Sequence, residues 1–325
     1  MIRAGWLAVA VVTLLVVQGS EAADVRPLLA DLPRTGDLAM AADGQIVACV
    51  DEGSGAIVVI EPGSGQSSRI AVAAPPADGA RPVAIAFIDD TVLAAVCRSG
   101  DAWSLRTWRL RPTEPVAAES PLQSLRLDGA ADHTTGNVHI VVSRSSRWMA
   151  VVGLEPPVLR AALGGVRIGP PTARLCPRLE AGRLPVAAAV GPDDELVLIT
   201  TNARAGESIE SVAFYGTDGR CLLDLETGLS GIRDVAFSAD GSSLYVVTAD
   251  APSQRAGLWR LDAAARDGRQ VIRPELVAEL QDPRAMVCPD PRSVVVTQGA
   301  PDRSVFQIES IVQIQAAEPP APEEP

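Results

Sequence analysis

Lysine is absent from this chain, and every one of its 28 basic residues is arginine. That excludes Schiff-base chemistry on lysine and the lysine of a phosphate-binding loop. Histidine is reduced to His133 and His139, both within "DHTTGNVHI". Aromatic residues make up 3% of the chain, so its cores must be built mainly from Val, Ala, Leu and Ile, small side chains that fit tightly stacked sheets. The five cysteines, Cys49, Cys97, Cys176, Cys221 and Cys288, show neither the close spacing of a metal knuckle nor a haem-attachment motif. No phosphate loop, nucleophile elbow, zinc-protease helix or kinase signature occurs. The net charge of −12 argues against non-specific nucleic-acid binding and favours solubility.

Long apolar runs are also scarce. The longest, Trp6–Val17, follows Arg3 and precedes the small residues Ser20, Ala22 and Ala23. At about a dozen residues it falls short of the ~20 that span a bilayer, so residues 1–23 read as a secretory signal peptide and the mature chain as periplasmic or secreted, with no membrane span. Outside the cytoplasm an odd number of cysteines leaves at least one unpaired, and buried thiols are the expectation. At the other end, "AEPPAPEEP" is too polar and proline-rich to offset the entropy of ordering, so residues 316–325 are expected to be a disordered tail.

What the chain has in quantity is repetition. "DLAMAADGQIVACVD" (37–51), "VAIAFIDDTVLAAVC" (83–97), "VAAAVGPDDELVLIT" (186–200), "DVAFSADGSSLYVVT" (234–248) and "RAMVCPDPRSVVVTQ" (284–298) share one plan: apolar run, acidic turn, apolar run. Asp-Gly and related pairs between β-rich runs signal short hairpins. One double-length gap holds a sixth unit, "NVHIVVSRSSRWMAVVG" (137–153), in which Ser-Arg-Ser-Ser replaces the acidic turn. Steps near 50 residues, several strands per unit and no 3.6-residue apolar period fit propeller blades. A third strand follows each hairpin, as in "SLRTWRLRPTEP" and "GLWRLDAAARDGR", and a fourth leads onward. Finally, "VRPLLADLPRTGDLAM" (25–40) resembles "IRPELVAELQDPRAMV" (272–287), so residues 25–32 are an outer strand without a blade of their own, while the last unit lacks a fourth strand. The expectation is an all-β, six-bladed propeller of four-stranded blades over residues 24–315, closed by the N-terminal strand and monomeric.

The repeats resemble YVTN-type and WD-repeat propeller blades, "SADGSSLYVVTAD" the former and "GLWRLDAAARDGR" the latter, although the Gly-His and Trp-Asp signatures of WD repeats are missing. Propeller ligands are met at the mouth, by the loops entering the inner strands. Arg34, Arg81, Arg183, Arg233 and Arg284 fall there, and a ring of guanidinium forks suits an anionic ligand or an acidic protein surface. The same arginines could instead pair with Asp37, Asp234 or Asp282. His133 and Asn137 join the candidate set from the third unit, and Asp234 from the fifth. The reading is a non-catalytic binding or scaffold propeller without a cofactor. The alternative implied by the resemblance is a lactonase-like hydrolase holding calcium or magnesium at the mouth, to which Asn137 and Asp234 would contribute oxygen ligands.

Overall fold

The computed structural model describes residues 24–29, 35–60, 71–73, 79–110, 121–127, 131–132, 138–172, 177, 179, 182–202, 209–266, 269–299 and 305–309. Among these residues there is no helix. The chain forms a propeller-like ring of small antiparallel sheets, and the repeat units identified above supply the inner hairpins.

Five sheets are built from successive strands. Sheet I comprises Thr35–Met40, Val47–Asp51, Ala56–Ile60 and Ala71–Ala73; sheet II, Arg81–Phe87, Val92–Ser99, Ala102–Arg109 and Gln123–Arg126. Sheet III comprises His139–Val142, Trp148–Val152, Val158–Gly164 and Arg167–Ile168; sheet IV, Arg183–Val190, Leu196–Asn202, Ser211–Tyr215 and Cys221–Glu226. Sheet V runs Ile232–Phe237, Leu244–Thr248, Gly257–Arg266 and Arg269–Glu279. In sheet VI, Pro283–Asp290, Ser293–Gln298 and Val305–Glu309 are followed on the outer side by Asp24–Leu29, which pairs antiparallel with Val305–Glu309. A two-residue pairing of Ala131–Asp132 with Leu154–Glu155, not foreseen from the sequence, is an addition to this plan.

The inner strand of each sheet lies against the inner strand of the next, and Pro283–Asp290 returns to Thr35–Met40. Each gap between consecutive sheets is filled by its own apolar cluster. A strand sandwiched between two neighbouring sheets has no polar face, so the second strands are buried throughout, as Val47–Asp51, Trp148–Val152 and Leu244–Thr248 show. Outer strands face solvent on one side and alternate, as Gln123–Arg126 and Cys221–Glu226 do. Trp103, Trp108 and Trp148 are core residues, and Cys49, Cys97 and Cys288 are buried thiols; Cys221 is exposed and Cys176 lies outside the described residues. The gap between sheets VI and I is also hydrogen-bonded: Thr35 Oγ1 donates to the Gln298 carbonyl at 2.7 Å and Thr297 Oγ1 to that of Gly36 at 3.1 Å.

The hairpin turns show why acidic residues recur there. The carboxylates of Asp43, Asp89, Asp240 and Asp290 each accept the amide of the residue two positions on, at 2.8–3.0 Å. In sheet III the Ser143 hydroxyl does this work instead, accepting the amides of Arg147 at 2.9 Å and Trp148 at 3.0 Å. The serine-rich turn is a chemical substitute for the acidic one.

Candidate functional site

Near their starts, five inner strands carry one extra residue relative to their partner. The register shifts lie between Thr35 and Leu38, Pro82 and Ala84, Pro185 and Ala187, Ile232 and Asp234, and Pro283 and Met286. Such bulges bend a strand and re-aim the side chains beside them. They align Asp37, Ala84, Ala187, Asp234 and Ala285 as equivalent positions, with His139 in the matching place of sheet III. Around the ring the order is Asp, Ala, His, Ala, Asp, Ala. Sheets I, III and V thus contribute a titratable side chain, and the sheets between them a methyl group.

Each titratable group reaches the backbone of the following sheet. Asp37 Oδ2 accepts the Ile85 amide at 2.8 Å, His139 Nε2 bonds the Val186 carbonyl at 2.9 Å, and Asp234 Oδ2 accepts the Met286 amide at 2.8 Å. Because a carbonyl can only accept, His139 Nε2 carries the proton and Nδ1 is a lone pair. Nδ1 lies 3.8 Å from Asp234 Oδ1, which itself accepts the Val235 amide at 2.8 Å. All three side chains line an axial cavity of about 250 Å³ whose walls are inner-strand residues such as Ala39, Ile140, Ala188 and Ala236.

Removal from water sets the protonation of this group. Burial pushes the Asp37 carboxyl well above the usual carboxylate range, and the charge of Asp234 adds to the effect. Burial raises Asp234 to about 7, opposed by the amides of Met286 and Val235. His139 is lowered to about 4, again mainly by burial, so its ring is neutral at physiological pH. A further buried acid, Glu210, lies outside the cavity; it accepts the Ile232 amide at 2.8 Å and is raised to about 7 by desolvation.

At the other end of the cavity stands Arg144, from the serine-rich turn of sheet III. Its Nη1 reaches the Ala239 carbonyl in the turn of sheet V at 3.4 Å. Neighbouring turns are linked there as well, Asp90 Oδ1 accepting the Asp43 amide at 3.1 Å and Asp194 Oδ1 that of Ser145 at 3.2 Å. Arg144 has no counterpart in the repeat pattern, since its Ser-Arg-Ser-Ser turn is the one that departs from the acidic plan.

The residues singled out from the sequence divide as follows. Asp234 is in the cavity, but both its oxygens are engaged by backbone amides. Arg81, Arg183, Arg233 and Arg284 stand at the first or second position of the inner strands of sheets II, IV, V and VI. None of them lines the cavity. Arg284 Nη2 pairs with Asp282 at 2.8 Å, Arg183 pairs with Asp224 of its own sheet's outer strand, and Arg233 lies near enough to Glu210 to stabilise its charge. Arg34, His133 and Asn137 lie outside the described residues. Sequence reasoning missed Asp37 and His139 as members of one group. The signal was there: Asp37, His139 and Asp234 all precede the matching turn position, Asp43, Ser145 or Asp240, by six residues.

A divalent metal of the lactonase type fits these residues poorly. Among the described residues no three His, Cys, Asp or Glu side chains form a group suited to hold a metal ion.

No protein-family model matches the sequence, and no curated protein matches it either. Solved structures do. The PQQ-bound aldose sugar dehydrogenase from Streptomyces coelicolor matches with a TM-score of 0.58 at 12% identity, covering 89% of this chain and 99% of that one. A gluconolactonase from Xanthomonas campestris gives 0.54 at 12% identity, with 88% and 89% covered. The Cps50 (Swd1) β-propeller domain of Myceliophteria thermophila gives 0.51 at 11% identity, with 86% and 97% covered. The chain is a β-propeller; identities this low speak to fold alone.

Proposed function

We propose that this protein is an exported binding or scaffold propeller without catalysis of its own, which meets an acidic protein surface or another anionic ligand at the end where its inner strands begin. The observation that carries this reading is the placement of Arg81, Arg183, Arg233 and Arg284 at the starts of four inner strands, so that four sheets carry an arginine at the same end of their inner strand. Replacing Arg81 or Arg233 by Ala should weaken binding to a polyglutamate probe by about 1–3 kcal/mol while leaving the fold intact. Unchanged binding in both variants would remove the arginines from the contact surface.

The ring is a six-bladed propeller in this reading, and Asp24–Leu29 is its closing strand. Deleting residues 24–29 would expose the edge of Val305–Glu309, with an expected loss of several kcal/mol. An unchanged melting temperature would exclude that role. Export rests on the apolar run near the N-terminus, and N-terminal sequencing of the mature protein, expected to begin near Asp24, tests it. The lactonase-like hydrolase is the weaker reading, because among the described residues no three His, Cys, Asp or Glu side chains form a group suited to hold a metal ion. Stoichiometric calcium, magnesium or zinc in purified protein would revive it.

A further inference from the structure

We propose that the axial cavity takes up one small primary ammonium group, held by the carboxylates of Asp37 and Asp234 and by Nδ1 of His139. The site consists of acceptors. His139 is 8% exposed, its Nε2 proton is committed to the Val186 carbonyl, and its Nδ1 lone pair faces Asp234 across 3.8 Å, beyond hydrogen-bond length. No side-chain donor of the described residues is hydrogen-bonded to either carboxyl group, and the backbone amides that they accept do not offset its desolvation. Two acids that share a desolvated cavity keep their protons for want of a counter-ion, and a buried acceptor lone pair calls for a donor.

Symmetry narrows the cation. The three groups come from sheets I, III and V, alternate members of the ring, and so stand roughly a third of a turn apart around the axis. A primary ammonium has three N–H donors disposed in the same threefold way about its C–N bond. Its alkyl substituent would lie along the axis, where Ala39, Ile140, Ala188 and Ala236 line the wall. Arg144 at the far end of that wall disfavours a second ammonium on the same molecule. The ligand class is therefore a small monoamine with an apolar tail.

The test is calorimetric titration of the full chain with n-butylammonium chloride, with tetramethylammonium chloride at matched ionic strength as the comparison. It is run at about pH 8, above the value near 7 to which Asp234 is raised. The expected result is saturable one-to-one binding of butylammonium, none of the quaternary ion, and a shift of the His139 Nδ1 resonance, assigned by comparison with a His133→Gln variant. Asp37→Asn keeps an oxygen acceptor for the Ile85 amide and Asp234→Asn keeps one for a single one of its two amides, but both lose the charge, and each should weaken binding about tenfold or more. Asp240→Asn, in an exposed turn, should change nothing. Equal effects of the two ions, no saturable binding, or undiminished binding by both asparagine variants would overturn the proposal. Should either variant fail to fold, the two-ion comparison and the histidine resonance on the unaltered protein decide the matter.

Discussion

Asp37 and Asp43 sit six residues apart at opposite ends of one inner strand, and so do Asp234 and Asp240 in sheet V. The side chains are chemically identical and each accepts a backbone amide, yet their situations differ. Asp43 and Asp240 bond amides of their own turns and stay in water. Asp37 and Asp234 bond amides of the next sheet, line the axial cavity and hold their protons far above the ordinary range. A turn carboxylate shapes a local loop, whereas a cavity carboxyl joins two sheets and keeps its proton, and only depth along the strand separates them.

The strongest way to break the comparison is to remove one carboxylate at each end. Asp234→Ala leaves two buried amides without an acceptor and should cost about 2–4 kcal/mol in urea unfolding, against about 0.5–1.5 kcal/mol for Asp240→Ala. Equal losses would mean that depth is irrelevant.

A pH series sharpens it. Asp234 and Glu210 are raised to about 7 and Asp37 is raised well above its ordinary value. The native state therefore holds protons that the unfolded chain has released above about pH 4, and the stability this gives is full below that pH and lost as the pH climbs through 7. His139, lowered to about 4, works in the opposite sense up to about pH 6.5. Three groups outweigh one, so stability should fall between about pH 4 and 7, by on the order of 2 kcal/mol, and most cleanly in the last half unit, where His139 no longer opposes. Asp37→Asn with Asp234→Asn should flatten the profile, and Asp43→Asn with Asp240→Asn should leave it as it was. A profile rising with pH would contradict the burial of the acids.

Smaller effects follow for the remaining members. His139→Ala leaves the Val186 carbonyl without its donor and should cost about 1–2 kcal/mol by thermal melting. Arg284→Ala breaks an exposed pair with Asp282 and should cost under ~1 kcal/mol; a larger loss would make that pair structural.

The repeat architecture was legible because a strand pair with an acidic turn is a local signal, repeated until chance is excluded; even the serine-rich third unit kept both apolar runs. The pairing of Arg284 with Asp282 was legible for the same reason, two residues being close in any fold. Arg183 with Asp224 was not, since it joins the first and last strands of one sheet. Asp234 was noticed as an oxygen donor, but its actual partner, the Met286 amide, lies 52 residues away in another sheet. His139 stands between Val138 and Ile140 in the sequence, while its environment is set by sheets IV and V. Periodicity along one strand carries no information about what faces it across an axis.

The alternation of acid or imidazole with alanine also divides the ring into pairs. The three cross-sheet bonds tie I to II, III to IV and V to VI, spanning 48, 47 and 52 residues. The first and last described strands, Asp24–Leu29 and Val305–Glu309, pair within sheet VI, so no pair of sheets is divided between them. A circular permutant cut between sheets II and III, or between IV and V, keeps every tie short in sequence and should fold at nearly the original rate. A cut between III and IV turns a link of 47 residues into one that spans the whole polypeptide, and loop-closure entropy should make that permutant the slow one.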